Sequence, residues 1–244
     1  MSDLPDFTWP KLVMESAVAE ALPDPATLPP AEYQAAVQAE VDENTRWPLA
    51  LARRYAEWLK IQLLPGCARI VVAGSVRREK ELCGDIELVC EAHGVMAAGG
   101  QAGLFDGARP TLAGELARLE RAGALLPRAA NNGSKARKFF LETRNAFPGW
   151  KLYPRLKVDL FVVTPPAQFG PILAIRTGPR DYSQWLVTKH SKGGACPNEL
   201  QFRDGALWDA DGKVVSTPTE EDLFKVLGLR CVDPMYRVPG KGVI

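Results

Sequence analysis

The sequence predicts an α+β protein, in which a mixed β-sheet with flanking helices is followed by a small α/β subdomain. Apolar residues recur at helical spacing in "PLALARRYAEWLKIQLL", which has proline near its start. Short runs of β-branched and apolar residues, "ARIVVAG", "DIELVCE", "KARKFFLE" and "RLKVDLFVV", have strand length. Near the C-terminus, "ALWDADGKVV" predicts a hairpin around Asp-Gly and "TEEDLFKVLGL" predicts a capped helix.

The remaining helices follow from similar signals. "TLAGELARLERAG" has threonine at the N-cap position and glycine at its end, and "PAEYQAAVQAEVDENTRW" precedes the first long apolar helix. "PAQFGPILAIR" and "RDYSQWLVTKH" are also predicted to be helical, with "TGP" between them. No internal repeat is evident, and 244 residues are enough to bury a hydrophobic core in one large or two small domains.

Composition excludes several classes of protein. The 244 residues contain no apolar run close to the roughly 20 residues of a membrane span, and the N-terminus has no signal-peptide pattern. Five cysteines without a CxxC pair indicate neither a disulfide framework nor a zinc site, so we expect a cytoplasmic protein without membrane contact. With only two histidines, carboxylate and metal chemistry is favoured over histidine-centred catalysis.

The charges are unevenly distributed along the chain. Residues 1–45 contain nine acidic residues and one lysine, whereas residues 128–157 contain eight basic residues and one acidic residue, interleaved with aromatics. Cations that meet phosphates and rings that meet bases are typical of a nucleic-acid-binding surface. The alternative interpretation of 128–157 is a solvated hairpin over an ordinary core.

The stretch "AGSVRREKELCGDIELV", residues 73–89, places two acids in a predicted strand. Asp85 and Glu87 are two residues apart, so they share one face of that strand. Two like charges side by side repel each other unless a cation compensates them. The alternative is a half-solvated strand whose polar face includes both acids, with Arg77 and Arg78 in a solvated loop.

A third acid, Asp159 in "LKVDLFVV", lies in an otherwise apolar strand and is hard to explain as surface. Three carboxylates on two strands predict a site for Mg²⁺, which prefers oxygen ligands. Two such ions about 3.5–4 Å apart serve phosphoryl transfer. At the preceding turn, Gly74 lets the backbone approach a phosphate, Ser75 offers a hydroxyl, and Arg78 neutralises charge.

These residues resemble the signature of the family X DNA polymerases, the DNA polymerase beta-like nucleotidyltransferases. "AGSVRREKELCGDIELV" matches the family in motif and spacing, "KVDLFVV" is similar to its third-carboxylate strand, and "RTGPRDYSQWL" is similar to its nucleotide-binding segment. The resemblance covers residues 46–236. It implies a catalytic palm at 46–170, with a mixed β-sheet and flanking helices, and a C-terminal nucleotide-binding subdomain at 171–244, while composition predicts an acidic, proline-rich extension with a helix at 1–45.

The resemblance also implies a role for each matching residue. Asp85 and Glu87 would bridge two Mg²⁺ ions, with Mn²⁺ as a substitute, and Asp159 would ligate the catalytic ion and help activate a primer 3′-hydroxyl. The implied partners are a nucleoside triphosphate and the 3′ end of a nucleic-acid primer. We expect the protein to be a monomer. The implied nucleotide-binding residues are Gly74, Ser75, Arg78, Gly84, Arg176, Thr177, Gly178 and Ser183, and the expected nucleic-acid-binding residues are Lys135, Arg137, Lys138, Lys157, Arg180 and Lys189.

The sequence also departs from the family pattern. Glu87 replaces the usual aspartate, Arg176 replaces an aromatic residue beside the expected sugar pocket, and Ser183 replaces an asparagine that contacts the base edge. Val187 replaces an arginine that reaches toward the template. A nucleotidyltransferase that uses no template, or that acts on an RNA end or a small molecule, is therefore the alternative, and a catalytically inactive nucleic-acid-binding protein is disfavoured by the intact carboxylates.

Two structural expectations follow. Proline after Gly178 lowers the energy of a cis peptide bond, so we predict a cis Gly178–Pro179 bond where the family has an unusual cis turn. We also expect Lys135, Arg137 and Lys138 to form a basic patch that lies outside the carboxylate cluster. No lyase domain is expected within 1–45.

Overall fold

A computed structural model describes residues 45–94, 110–128, 135–146 and 155–243, without the side chain of Asn145. The predicted helix in "PAEYQAAVQAEVDENTRW" and most of the acidic extension lie outside these residues. The α-helices of the described residues are α1 Leu49–Leu63, α2 Gly74–Arg77, α3 Leu112–Arg121, α4 Thr143–Ala146, α5 Phe169–Thr177, α6 Arg180–Val187 and α7 Glu220–Val226. The strands are β1 Trp47–Pro48, β2 Cys67–Val72, β3 Leu82–Cys83, β4 Ile86–Ala92, β5 Leu125–Pro127, β6 Ala136–Glu142, β7 Arg155–Val163, β8 Gln201–Arg203, β9 Ala206–Trp208 and β10 Val214–Val215.

The main sheet is mixed, as the sequence predicts. Its strand order is β2-β4-β7-β6-β5, and β4 and β7 are parallel while the other neighbours are antiparallel. The parallel pair brings together two strands that are far apart in the chain. Their register pairs Glu87 with Asp159 directly across the ladder.

One face of this sheet forms the larger hydrophobic core. Alternate residues of β4 and β7, such as Ile86, Leu88, Val158 and Leu160, are buried there against α1 and α3. Helix α1 has the predicted amphipathic spacing, and Thr111 caps α3 by accepting a hydrogen bond from the Gly114 amide. Period-two alternation then turns the acids of β4 and β7 to the opposite face.

Within the described residues, the opposite face of the sheet is covered only in part. Val89, Phe161 and Val163 pack against Phe169 and Leu173 of α5, which shields one end of the strands. Beyond this cluster, polar and charged side chains of β6 and β7 remain on the open face. The open face therefore runs directly from the carboxylates along β7.

The C-terminal part has its own core. Tyr182, Leu186, Leu223 and Phe224 are buried among α5, α6 and α7, and a three-stranded antiparallel sheet of order β10-β9-β8 contains the predicted Asp-Gly hairpin. Helix α7 begins with a complete capping box made by Thr219 and Asp222. The capped helix and hairpin are confirmed.

The predicted cis bond is wrong. Within the described residues the cis peptide bond is Pro165–Pro166, and Gly178–Pro179 is trans. Gly178 has φ −66° and ψ 154°, and Pro179 is the N-cap of α6 with φ −62°. An extended glycine followed by a proline at a helix start accommodates the trans bond, which is also the favoured form before proline.

Candidate active site

Three carboxylates lie on or next to two neighbouring strands at one edge of the open face. Glu87 and Asp159 are direct neighbours on the parallel strands β4 and β7, and Asp85 lies immediately before β4. Their placement follows from two local patterns, the alternation along each strand and the ladder register. The three predicted catalytic and metal-binding residues are thus brought to one place.

Their electrostatic environment is unfavourable for negative charge. Burial raises the pKa of Glu87 to about 7, and the neighbouring charges of Asp85 and Asp159 add to the effect. Burial and the charge of Asp159 also raise the pKa of Asp85 above its ordinary value. The neighbouring carboxylates therefore raise the pKa values of Glu87 and Asp85, and a bound cation would relieve this repulsion.

Among the three acids, Asp159 is the one for which the described residues show direct ion pairs. Its Oδ1 lies 3.2 Å from Arg128 Nη1, and its Oδ2 lies 3.6 Å from Lys138 Nζ. The expectation that Lys138 lies outside the carboxylate cluster is wrong, because the antiparallel register of β6 and β7 places Lys138 directly opposite Asp159. Arg128 was not among the predicted site residues, since only the pairing of β5, β6 and β7 brings it near.

The turn before β4 packs directly on the acids. Gly74 has φ +63°, and a Cβ added there would meet Glu87 Oε2, so glycine is required both for the backbone and for the space. The Ser75 Oγ and Arg78 Nε atoms are buried, and neither has a hydrogen-bond partner in the described part of the chain. The nearby Cys83 thiol donates to the Lys80 carbonyl; burial raises the pKa of this thiol, and the adjacent Ser75 side chain opposes that rise. Unpaired buried donors beside a carboxylate site fit an anionic ligand.

The two arginines of this turn also join it to the C-terminal part. Arg78 Nη1 donates to the Thr177 and Gly178 carbonyls at 2.7 and 3.1 Å. Arg77 donates to Thr177 Oγ1 at 2.8 Å and to both carboxylate oxygens of Glu220. The predicted nucleotide-binding residues Ser75, Arg78, Thr177 and Gly178 are therefore contiguous.

Glu220 is the centre of a buried ion-pair network. Besides Arg77, it accepts a hydrogen bond of 2.7 Å from Arg237, whose side chain is fully buried. Burial alone would raise the pKa of Glu220, but the hydrogen bonds from Arg237 and Arg77 lower it below its ordinary value. The network connects α2, α7 and the C-terminal tail.

Arg176 and Ser183 are held in specific places. The Arg176 guanidinium lies 3.9 Å from the centroid of the Phe161 ring, and its charge favours ionisation of Glu87. Ser183 Oγ donates to the Ile175 carbonyl at 2.7 Å, so its hydroxyl hydrogen is already used within the helix pair.

Arg46 is a second residue, after Arg128, that the structure brings to the site and that the sequence did not single out. A Cβ at Gly84 would lie 2.8 Å from Arg46 Nη1, so Arg46 lies directly over Gly84. Its charge also favours ionisation of Asp85. Arg46 is exposed and precedes β1, which pairs with β3 at Trp47 and Cys83. In the sequence, Arg46 is visible only as a basic residue before "WPLALARRYAEW". No local pattern indicates that its side chain lies against Gly84.

The expected nucleic-acid-binding residues do not form a single patch. Lys157 lies on the open face, two residues from Asp159, and Arg137 lies on the other face of β6 from Lys138. Arg180 is exposed at the start of α6, and Lys189 donates to the Asn198 carbonyl. Lys135 is exposed before β6. Residues 129–134 and 147–154 of the basic stretch lie outside the described residues.

Asp85, Glu87 and Asp159 have the oxygen ligands of a metal site, but their side chains are not close enough together to bind one ion in this arrangement. Among the described residues, no three acidic, histidine or cysteine side chains converge closely enough to hold an ion. The reason is visible at Asp159, whose oxygens face Arg128 and Lys138. An all-oxygen donor set of mutually repelling carboxylates is nevertheless the kind that Mg²⁺ prefers.

The fold is similar to that of a known polymerase. No protein-family model matches the sequence. The structure of Leishmania infantum polymerase beta in a ternary P/T complex matches with a TM-score of 0.61 at 16% sequence identity, covering 85% of this chain and 80% of that chain. The fold is polymerase beta-like. This agrees with the predicted α+β architecture.

No helix in the described segments has the length and apolar character needed to cross a membrane.

Proposed function

We propose that this chain is a metal-dependent nucleotidyltransferase that transfers a nucleotide from a (deoxy)nucleoside triphosphate to a nucleic-acid 3′-hydroxyl, as a minimal DNA polymerase of family X. The observation that supports this best is the in-register pair of Glu87 and Asp159, with Asp85 beside them, on a polymerase beta-like fold. The unpaired donors of Ser75 and Arg78 lie in the adjoining turn.

The metal-binding residues of this proposal are Asp85, Glu87 and Asp159. Two Mg²⁺ ions, or Mn²⁺, would polarise the phosphoryl oxygens and offset the charge that develops in transfer. Glu87 has a pKa of about 7, so it is partly protonated at neutral pH before a cation compensates the cluster. The Asp159 carboxylate would orient the acceptor hydroxyl.

The triphosphate would lie along the Gly74 turn. Ser75 Oγ and Arg78 Nε would donate to phosphate oxygens, and Gly74 lets the backbone of the turn pack closely on Glu87. Arg46 supplies a further positive charge next to Gly84. In the reaction, the 3′-hydroxyl gives up its proton to solvent as its oxygen attacks the α-phosphorus, the bond from the α-phosphorus to the bridging oxygen breaks, and pyrophosphate leaves. The protein contributes positioning and charge neutralisation.

The second candidate is transfer without a template, or to an RNA end or small molecule. Ser183 donates its hydroxyl hydrogen to Ile175 rather than presenting it to a base, and Val187 offers no charge toward a template strand. These two features favour weak dependence on a template. The carboxylate chemistry is the same in both candidates.

A primer-extension assay with Mg²⁺ distinguishes these functions. We expect incorporation on recessed and gapped duplexes, and EDTA should remove it. Incorporation on a single-stranded primer at the same rate would favour the second candidate. Absence of incorporation on all three substrates, with Mg²⁺ or Mn²⁺, would contradict nucleotidyl transfer to nucleic acid.

A further inference from the structure

The Asp159 carboxylate is paired with a separate cation at each oxygen. Arg128 lies at Oδ1 and Lys138 at Oδ2, at 3.2 and 3.6 Å. The Asp159 side chain is 16% exposed, so these contacts lie in a partly dehydrated place, where ion pairs are stronger than at the open surface. A metal ion that binds Asp159 must compete with two positive charges.

Both cations are fixed by the sheet. The Arg128 amide donates to the Lys138 carbonyl at 2.9 Å, which ties the two residues together. Lys138 is also opposite Asp159 in the ladder, and the Arg128 guanidinium lies 5.3 Å from the centroid of the Phe140 ring. Because these restraints come from backbone pairing and an aromatic contact, the pairing of Asp159 is built into the fold.

The two cations are more accessible than the acid they hold. Arg128 and Lys138 side chains are 24% and 34% exposed, and both are on the open face that also presents Lys157 and Arg155. A strand that follows this face would bring its phosphates to these cations. A guanidinium pairs with phosphate, as it does with carboxylate, through charge-assisted and often bidentate hydrogen bonds, so strand phosphates would compete with Asp159 for Arg128.

We infer that Arg128 and Lys138 are positioning residues that hold Asp159 away from the metal ions until phosphates of the acceptor strand bind them. This inference rests on the proposed function for the identity of the acceptor as a nucleic-acid strand. Strand binding then frees Asp159 for the metal. Since coupling between two ligands is reciprocal, the strand must tighten metal binding by the same factor by which the metal tightens strand binding.

The test measures Mn²⁺ binding by calorimetry, without any nucleoside triphosphate, in the absence and presence of saturating primer–template duplex. For the unchanged protein we expect duplex to tighten Mn²⁺ binding by about tenfold. Arg128→Gln should bind Mn²⁺ several-fold more tightly without duplex, and duplex should then change its affinity by less than about twofold. Arg155→Gln is the matched control, because Arg155 lies on the same face but pairs with Glu142.

A double-mutant cycle isolates the contact with Asp159. With Asp159→Asn in place, Arg128→Gln should no longer alter Mn²⁺ affinity. If Arg128→Gln does not give the circular dichroism spectrum of a folded chain, Lys138→Gln replaces it with the same expectations. Equal Mn²⁺ affinities in the unchanged protein and the variant, or equal effects of duplex on both, would overturn the inference.

The outcome is independent of turnover. If the coupling is observed but no nucleotide is transferred, the proposed reaction fails and the pairing inference stands. If nucleotide is transferred but Arg128→Gln leaves Mn²⁺ affinity and its coupling to duplex unchanged, the inference fails alone.

Discussion

Arg77 at the end of α2 donates two hydrogen bonds to Glu220 at the start of α7, at 3.1 and 2.8 Å. Arg237 donates to the same carboxylate, and its Nη2 has no hydrogen-bond partner in the described residues. The negative charge of Glu220 therefore offsets the positive charges of both Arg77 and Arg237, and it joins the Gly74 turn to the C-terminal part. Removing it would leave a fully buried positive charge unpaired.

Glu220→Ala is expected to lower the free energy of unfolding by about 3–5 kcal/mol, because breaking a buried ion pair leaves an uncompensated charge. The measurement is urea denaturation at neutral pH. Glu221→Ala is the matched control, since Glu221 is exposed in the same first turn of α7 and should cost less than about 1 kcal/mol. Equal losses in the two variants would mean that the network does not stabilise the fold.

Local patterns in the sequence are sufficient for some of the site but not for all of it. Alternation along the strand predicts that Asp85 and Glu87 share a face, and Asp159 stands out as an acid within an otherwise apolar strand. No local pattern sets the parallel register that pairs Glu87 with Asp159, nor the antiparallel register that places Lys138 against Asp159. Strand pairing depends on the whole sheet.

Other differences have the same origin. Arg46 reaches Gly84 because β1 and β3 pair across more than thirty residues of chain. Arg137 and Lys138 were grouped by their adjacency in sequence, but neighbouring strand residues point to opposite faces. The cis prediction at Gly178–Pro179 failed because a low energy for the cis form does not make it the favoured form.

The raised pKa of Glu87 predicts a pH dependence of stability in the metal-free protein. The folded state binds this proton more tightly than the unfolded chain, whose glutamate has its ordinary value of 4.5. The contribution of Glu87 is therefore most favourable at the acidic end, and stability is lost as the pH rises from 4.5 to about 7. Denaturation in EDTA at several pH values measures this loss.

Glu87→Gln should flatten that pH profile, because the glutamine has no proton to release. Glu79→Gln, at an exposed position, should leave the profile unchanged. A profile of Glu87→Gln that follows the unchanged protein across this range would show that Glu87 titrates outside it.

Lys157 is expected to contact a strand phosphate, because it lies on the open face two residues from Asp159. Lys157→Gln should weaken duplex binding and reduce the slope of log K against log salt by about 0.9, the value for one phosphate contact. Arg137→Gln, on the other face of its strand, should leave the slope unchanged. Titrations at several salt concentrations measure both, and a larger effect of Arg137→Gln would contradict this path of the nucleic acid.

Weak exclusion of ribonucleotides is expected, since Arg176 replaces an aromatic side chain beside the proposed sugar site. The measurement is the ratio of kcat/KM for a deoxynucleotide and its ribonucleotide. We expect a ratio well below about a thousand, because no bulky ring opposes the 2′-hydroxyl. Arg176→Phe should raise the ratio, and a ratio already above about a thousand in the unchanged protein would contradict the prediction.

The central claim is that Asp85, Glu87 and Asp159 form one metal-dependent catalytic site. The most direct measurement is single-nucleotide incorporation with saturating Mg²⁺ by Asp85→Asn and Asp159→Asn, which keep the side-chain shape and remove the charge. Each should lose more than the roughly 10²–10³-fold that follows deletion of one electrostatic stabiliser. Incorporation by either variant at close to the rate of the unchanged protein would contradict the claim.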